Sequence, residues 1–346
     1  GDGLDLIASG SIRSGAIAAY VEMRDQALVA AQAQLDAFAA AMAQALSDKT
    51  EAGTAVTVGA QSGFDLDLGG LVAGNTVRVT STDASGTQRS ITFVRVDDPA
   101  ALPLDPGPDP NDRIVGISFS GGAAAVAGQI AAALGAGFTV SNPAGSTLRI
   151  LDDGGATVTL NAATTTKTVT GLASGDVRLP LFVDGLVPYT GAYTAEGAQM
   201  TGLAGRIAVN AAVLADPSKL VVYGAAPTTA AGDGARPTFL YDQLTQATLR
   251  FAAPAGSGGG AATVQATLPG FLRQILAQQG EEAAAAASLR DGQAVVVDAL
   301  RQRMNDVSQV NIDEEMTNLL RLQSAYSANA RVLAAVRDML DTLLRL

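Results

Sequence analysis

From Asn311 to Leu346 the chain contains neither Gly nor Pro, and apolar residues return every three or four positions: Leu319, Leu322, Tyr326, Ala330, Leu333, Val336, Leu340 and Leu343. That spacing lines up one stripe of an α-helix. At 1.5 Å per residue such a helix reaches roughly 50 Å. Asn311, followed three residues later by Glu314, has the form of a capping box and sets its start. Met316, Leu320, Val332, Met339 and Leu344 widen the apolar surface beyond a single seam. A helix with that much apolar surface needs a partner beyond its own segment, so 311–346 reads as an assembly helix.

The same period governs the opposite end. Between Ser14 and Ser47 only Gly15 interrupts a helical pattern in which Leu28, Ala31, Leu35, Phe38, Met42 and Ala45 share a face, and Asp48 to Gly53 is expected to end it. From Thr54 to Gly175 the texture becomes short alternations such as Thr76-Val77-Arg78-Val79-Thr80 and Ser90 to Val96, punctuated by Gly, Asn and Asp. These predict strands and turns. Asp83 to Gly86 is expected to close one hairpin, and Asp153-Gly154 another between Leu148 to Leu151 and Thr157 to Leu160. The uncharged run Ile114 to Leu148 carries Val126, Ile130 and Leu134 four apart, the stripe of a short buried helix rather than a membrane span, because its glycines interrupt any long helix. Leu179 to Phe251 mixes short strands, prolines and loops, and Ala255 to Ala262 is a Gly-rich loop. Helix returns at Leu268 and breaks near Ser308 to Asn311. Its face Val296, Leu300, Met304, Val307 is expected to meet Leu35, Phe38 and Met42.

The pattern predicts an α+β fold: an elongated multi-domain protein with long terminal helices packed together and a β-rich inserted domain. The divisions are 1–53, a helical arm of the core domain; 54–175, the insertion; 176–310, the remainder of the core ending in a long helix; and 311–346, the assembly helix.

The chemistry available is narrow. Among 346 residues there is no Cys and no His, which removes thiolate nucleophiles, imidazole bases and the zinc sites built from them. A net charge of −11 repels phosphate backbones and anionic membranes, so neither is an expected partner. Arg301 and Arg303, the nearest approach to a basic cluster, fall on a helical face. Asp97, Asp98, Asp105, Asp109 and Asp112 are interleaved with prolines and read as a solvated loop rather than a calcium site, since Arg113 stands where an EF-hand loop requires oxygen. Asp65 and Asp67 are acidic, but nothing places them across a cleft as a glycosidase pair. Ser218 and Lys219 are neighbours and diverge on most backbones. Gly256 to Gly260 lacks the Lys-Ser or Lys-Thr of a phosphate loop. No catalytic residue, cofactor or metal is expected, and the chain reads as a non-enzyme.

A longer signature accompanies the terminal helix. Val310-Asn311-Ile312-Asp313-Glu314-Glu315-Met316, Leu319-Leu320, Gln323 to Val332 and Met339-Leu340-Asp341-Thr342-Leu343 together resemble the C-terminal signature of the flagellar hook-associated protein 1 family. The similarity extends to Gly205 to Asn210, to Asp216-Pro217-Ser218-Lys219-Leu220, and to the entry Ser11 to Gly15 into a helix holding Arg24-Asp25. The resemblance implies a structural, secreted axial protein joining hook to filament, exported by the flagellar type III route and located outside the cell. Its implied partners are identical subunits in an axial ring, hook protein, a neighbouring hook-associated junction protein, and a cytosolic export chaperone for the C-terminal helix. In that family the N- and C-terminal helices pair as an inner tube. Because the sequence opens abruptly on Gly1-Asp2-Gly3, helix 313–346 is expected to lack that partner within the chain. The alternative function is an exported adhesin or glycan-binding module on the same scaffold. It would require exposed aromatics in the insertion, where Phe64, Phe93, Phe119 and Phe138 all sit in apolar patterns.

Overall fold

The computed structural model describes residues 15–107, 109–155, 157–251, 264–308 and 311–345. The expected features at Ser9 to Ser14 and Ala255 to Ala262, with Val310 and Leu346, lie outside these. Among the described residues helix and sheet are mixed, with no closed barrel. The chain divides into two compact units, Gly1–Leu276 and Ala277–Leu346.

The first unit opens with α1 (Gly15–Glu22), one π-helical turn (Met23–Ala27) and α2 (Leu28–Ser47). Asp48 then turns extended at φ −86°, ψ 135°, ending the helix where the sequence places its end, and the chain passes straight into a strand. That strand is β1 (Asp48–Ala52), followed by β2 (Thr54–Val58), β3 (Gln61–Asp67), β4 (Thr76–Asp83), β5 (Gln88–Val96), β6 (Asp112–Ser118), α3 (Gly122–Leu134), β7 (Phe138–Ser141), β8 (Thr147–Asp152) and β9 (Val158–Thr168). Five strands form a sheet in the order β1-β9-β4-β5-β6, and four form another in the order β2-β3-β8-β7. All neighbours are antiparallel except β5 and β6. The β layer read from the sequence as 54–175 thus begins at Asp48 and ends at Thr168.

Alternation decides which faces turn inward. Leu66, Val77, Val79, Phe93, Ile117, Leu148, Ile150, Leu160 and Ala163 from the two sheets join Val126, Ala127 and Ile130 of α3 in one core, as the four-residue stripe of that helix predicts. The turn at Asp83 closes the β4-β5 hairpin: its carboxylate accepts the Ser85 and Thr87 amides at 2.9 and 3.0 Å, and Gly86 adopts φ +84°. The turn at Asp153-Gly154 exists but closes no hairpin. β8 lies between β3 and β7, whereas β9 lies between β1 and β4. The connection carries the chain from one sheet to the other, so that Leu148 and Ile150 face Leu160 and Ala163 across the shared core.

The chain then returns to where it left. Val169 donates to Ser47 O at 2.8 Å, and Leu179 donates to Leu46 O at 2.8 Å. Around α2 are assembled β10 (Phe182–Asp184), β11 (Val187–Pro188), β12 (Tyr193–Thr194), β13 (Gly197–Ala198), β14 (Ile207–Val209), α4 (Ala211–Ala215), α5 (Ala235–Thr245), β15 (Leu249–Phe251), β16 (Val264–Ala266) and the first turns of α6 (Leu268–Ser308). The C-terminal half of α2 is covered on three sides. Ala39, Ala40 and Ala43 pack with Tyr189 and Leu203; Ala41 and Ala45 with Phe251, Leu268, Phe271 and Ile275; and Leu46 with Leu179, Val213 and Leu240. Alanine suits this position because its small side chain allows close approach from every direction.

This packing replaces the expected seam. Leu28 and Leu35 are exposed, Phe38 and Met42 are half-buried against the Phe271 cluster, and the cover comes from Leu268, Phe271 and Ile275. The expected partners Leu300, Met304 and Val307 belong to the second unit, where they are exposed. Arg236 fixes the surrounding loops. Fully buried, its guanidinium donates to the carbonyls of Leu172, Asp176, Val177, Arg178, Lys219 and Val222 at 2.7 to 3.1 Å.

Candidate assembly surface

The second unit consists of the remainder of α6 and of α7 (Ile312–Leu344). The sequence folds α7 for local reasons. Asn311 caps it, its side-chain oxygen accepting the Asp313 amide at 3.1 Å. Asp313, Glu314 and Glu315 occupy the first turn, where negative charge complements the helix dipole. No Gly or Pro interrupts the helix.

None of its described residues is buried. All eight residues of the expected seam are exposed: Leu319, Leu322, Tyr326, Ala330, Leu333, Val336, Leu340 and Leu343. Among the seven larger of these side chains exposure runs from 41% at Val336 to 80% at Tyr326, so the stripe is open along its whole length. Leu319, Leu322, Gln323, Tyr326 and Ser327 line a shallow open depression on it. Met316, Leu320, Val332, Met339 and Leu344 are exposed as well, as the sequence pattern of a surface wider than one seam implies. Along α6, Val296, Leu300, Met304 and Val307 are also exposed. At the other end of the chain, Ile17, Tyr20, Met23, Leu28 and Val29 form a third exposed apolar stretch. Burying a Leu or Val side chain is worth about 1.5 to 3 kcal/mol. A stripe of this length therefore represents a strong drive toward association. The ion pairs on these helices, Arg24 with Asp25, Arg290 with Asp291 and Arg301 with Asp298, join near neighbours on exposed surface and contribute little.

Acidic residues elsewhere are spent on local structure. Asp65 is paired in two bonds with Arg149 at 2.6 and 2.7 Å, which lowers its pKa. Asp67 is held at about 2 by the Ser146 hydroxyl, Lys167 and the Gly69 amide. In the proline-rich loop Asp97 binds Arg95, Asp98 accepts the Ala100 and Ala195 amides, Asp105 and Asp109 close tight turns, and Asp112 bridges Arg78 and Arg250. Among the described residues no group of three acidic side chains converges on a metal position, and no helix is long and apolar enough to cross a membrane. In the insertion Phe93 is buried and Phe64, Phe119 and Phe138 are half-buried, so no aromatic platform faces solvent.

Sequence reasoning missed the polar junction between α2 and the insertion. Asn75 donates to the Thr168 hydroxyl at 2.8 Å, Thr168 donates to Asp48 at 2.7 Å, and Arg178 donates to the Asp48 carbonyl at 2.8 Å. Gly74 lies against Thr190 and Gly191 so tightly that a Cβ there would overlap their backbone. The abrupt change from helical to alternating texture at Asp48 was the available signal.

No curated protein and no solved structure matches the chain. Residues 301–346, which include all of α7, match the family model described as flagellar basal body rod FlgEFG protein C-terminal, a match that does not single out hook-associated protein 1. The exposed terminal helix and this match together support a structural component of the flagellum, of the rod and hook type, that assembles with other axial subunits.

Proposed function

We propose that the chain is a self-assembling axial protein at the junction of hook and filament, exported by the flagellar type III route to the outside of the cell. The observation that carries the reading is the continuous exposed stripe of α7 within the residues matching the rod family. The stripe docks on helices of neighbouring axial subunits: identical copies in a ring, hook protein on one side and a second junction protein on the other. A cytosolic chaperone covers the same helix before export. The role is structural and non-catalytic, with the neighbouring carboxylates Asp65 and Asp67 committed to Arg149, Lys167 and Ser146.

Leu340→Asp tests this. Leu340 is 54% exposed, so the carboxylate stays hydrated in the free chain, whereas helix association would have to strip its water at a cost of several kcal/mol. The expected outcome is an unchanged melting temperature for the first unit with loss of incorporation at the hook tip, export being measured separately. Normal incorporation would refute the seam. A large fall in melting temperature would mean that the helix serves the folded core instead.

A further inference from the structure

The inserted domain treats the edges of its two sheets differently. In the five-stranded sheet both outer strands are guarded. β1 carries Lys49 and Glu51, paired at 2.7 Å. β6 is covered by the segment bearing Pro99, Pro103 and Pro106: the Ile114 amide donates to Pro106 O at 3.0 Å, and Leu102 and Leu104 lie directly over Gly116. Charge and proline at an edge are the devices that prevent a strand from recruiting another chain.

The four-stranded sheet has neither guard. Its outer strands, Thr54-Ala55-Val56-Thr57-Val58 and Phe138-Thr139-Val140-Ser141, contain no charge and no proline, and their pairing runs without a bulge. Among the described residues each has a strand partner on one side alone, β3 for β2 and β8 for β7. Thr54, Ala55, Thr57 and Val58 are exposed on one edge, and Thr139 and Ser141 on the other. The surroundings are equally bare. No Asp, Glu, Lys or Arg occurs from Ala52 to Phe64 or from Ile114 to Leu148, in a chain whose net charge is −11. A copy approaching these edges meets no like charge, in contrast to most of the acidic surface.

Strand direction then selects the occupant. Three successive antiparallel pairings make β2 and β7 run in opposite directions. A second copy placed head to tail therefore brings its β2 alongside β7 already antiparallel, the polarity that continues the sheet. Pairing β2 with β2, or β7 with β7, requires a two-fold axis and closes as a dimer, which cannot propagate round a ring. We propose that β2 of one copy adds antiparallel to β7 of the next, so that the four-stranded sheets join from subunit to subunit around the axis. This rests on the assembly role proposed above and adds to it a second contact, far in sequence from α7.

The absence of native Cys makes a direct test available. In full antiparallel overlap that keeps each side chain on its own face of the sheet, Val56 falls beside Thr139. Within one copy the two lie three strand spacings apart, about 14 Å, too far for a disulfide. The full chain carrying Val56→Cys and Thr139→Cys, oxidised under conditions where sedimentation shows assembly, is expected to give a ladder of dimers, trimers and higher species on a non-reducing gel. Either single variant should give none beyond a dimer. A short bifunctional maleimide repeats the test where the sulfur geometry is unfavourable. Assembly without a ladder from either reagent overturns the strand pairing and leaves the α7 reading standing. Dimers from Val56→Cys alone, as abundant as the ladder of the double variant, overturn it in favour of two-fold pairing. Failure of the parent chain to sediment as an assembly would count against self-assembly itself, and the strand pairing would fall with it.

Discussion

Asp48 stands where α2 becomes β1, and burial pushes its carboxyl up to about 6, although the Thr168 and Ser47 hydroxyls and the Arg178 guanidinium favour its charged form. Lys49, Asp176 and Tyr189 are the other titratable groups around this junction. In an unfolded chain an Asp titrates near 3.9, about two units lower. The folded state therefore holds the proton more tightly. The resulting stability is complete below about pH 4 and is lost as the pH rises through about 6, at most about 3 kcal/mol. Asp48→Asn keeps an acceptor for Thr168 and removes the titration. Urea unfolding of variant and parent should give similar free energies near pH 4, with the variant the more stable near pH 7. Equal free energies at both would show that Asp48 does not titrate between them. None of this was legible beforehand, because a single Asp in a row of polar residues carries no mark of burial. Arg236 was equally silent, since the six carbonyls it gathers lie 14 to 64 residues away.

At the scale of elements, periodicity was informative where a helix or strand meets one neighbour and misleading where it meets several. α3 lies on one core, and its stripe of Val126, Ile130 and Leu134 pointed to the right face. α2 is wrapped from three directions by residues far downstream, so its alanines matter as much as its larger residues, and no single stripe describes it. Two of the residues that cover it, Phe251 and Phe271, stack on one another with ring centroids 3.8 Å apart. Phe271→Ala should cost about 3 to 5 kcal/mol, because the ring is fully buried in a well-packed site. Phe38→Ala, at a half-buried position on the opposite side of the same cluster, should cost less, about 1 to 2 kcal/mol by the area lost. Chemical denaturation of the two variants checks the order, and the reverse order would show that α2 rather than α6 supplies the anchor. Turn chemistry was similarly divided. Asp83 to Gly86 and Asp153-Gly154 both turn, but a turn does not say whether the next strand stays in the same sheet, a choice made by the core that the two sheets share.

For the molecule as a whole, the mixed fold and the long terminal helix were both readable from sequence, because long Gly-free and Pro-free repeats and dense turn signals are strong, local and contrasting. The limits of the insertion were not, since β1 with its Asp, Lys and Glu looks like the polar end of a helix until its pairing with β9 is known. Those limits predict that a fragment spanning Asp48 to Thr168 melts cooperatively by itself, having both sheets, α3 and the entire Leu66 to Ala163 core. A fragment starting at Thr54 loses the outer strand β1 and should melt lower. Noncooperative melting of the longer fragment would show that the insertion depends on the surrounding unit. The adjoining ends of the insertion also bear on the order of folding. α2 must wait for Leu203, Phe251 and Phe271, which are separated from it by more than the whole insertion, and closing so long a loop is slow while the intervening chain is unstructured. Once β1 and β9 have zipped, Ser47 and Val169 are one hydrogen bond apart. The inserted domain then acts as a splint that shortens the search for everything that follows it.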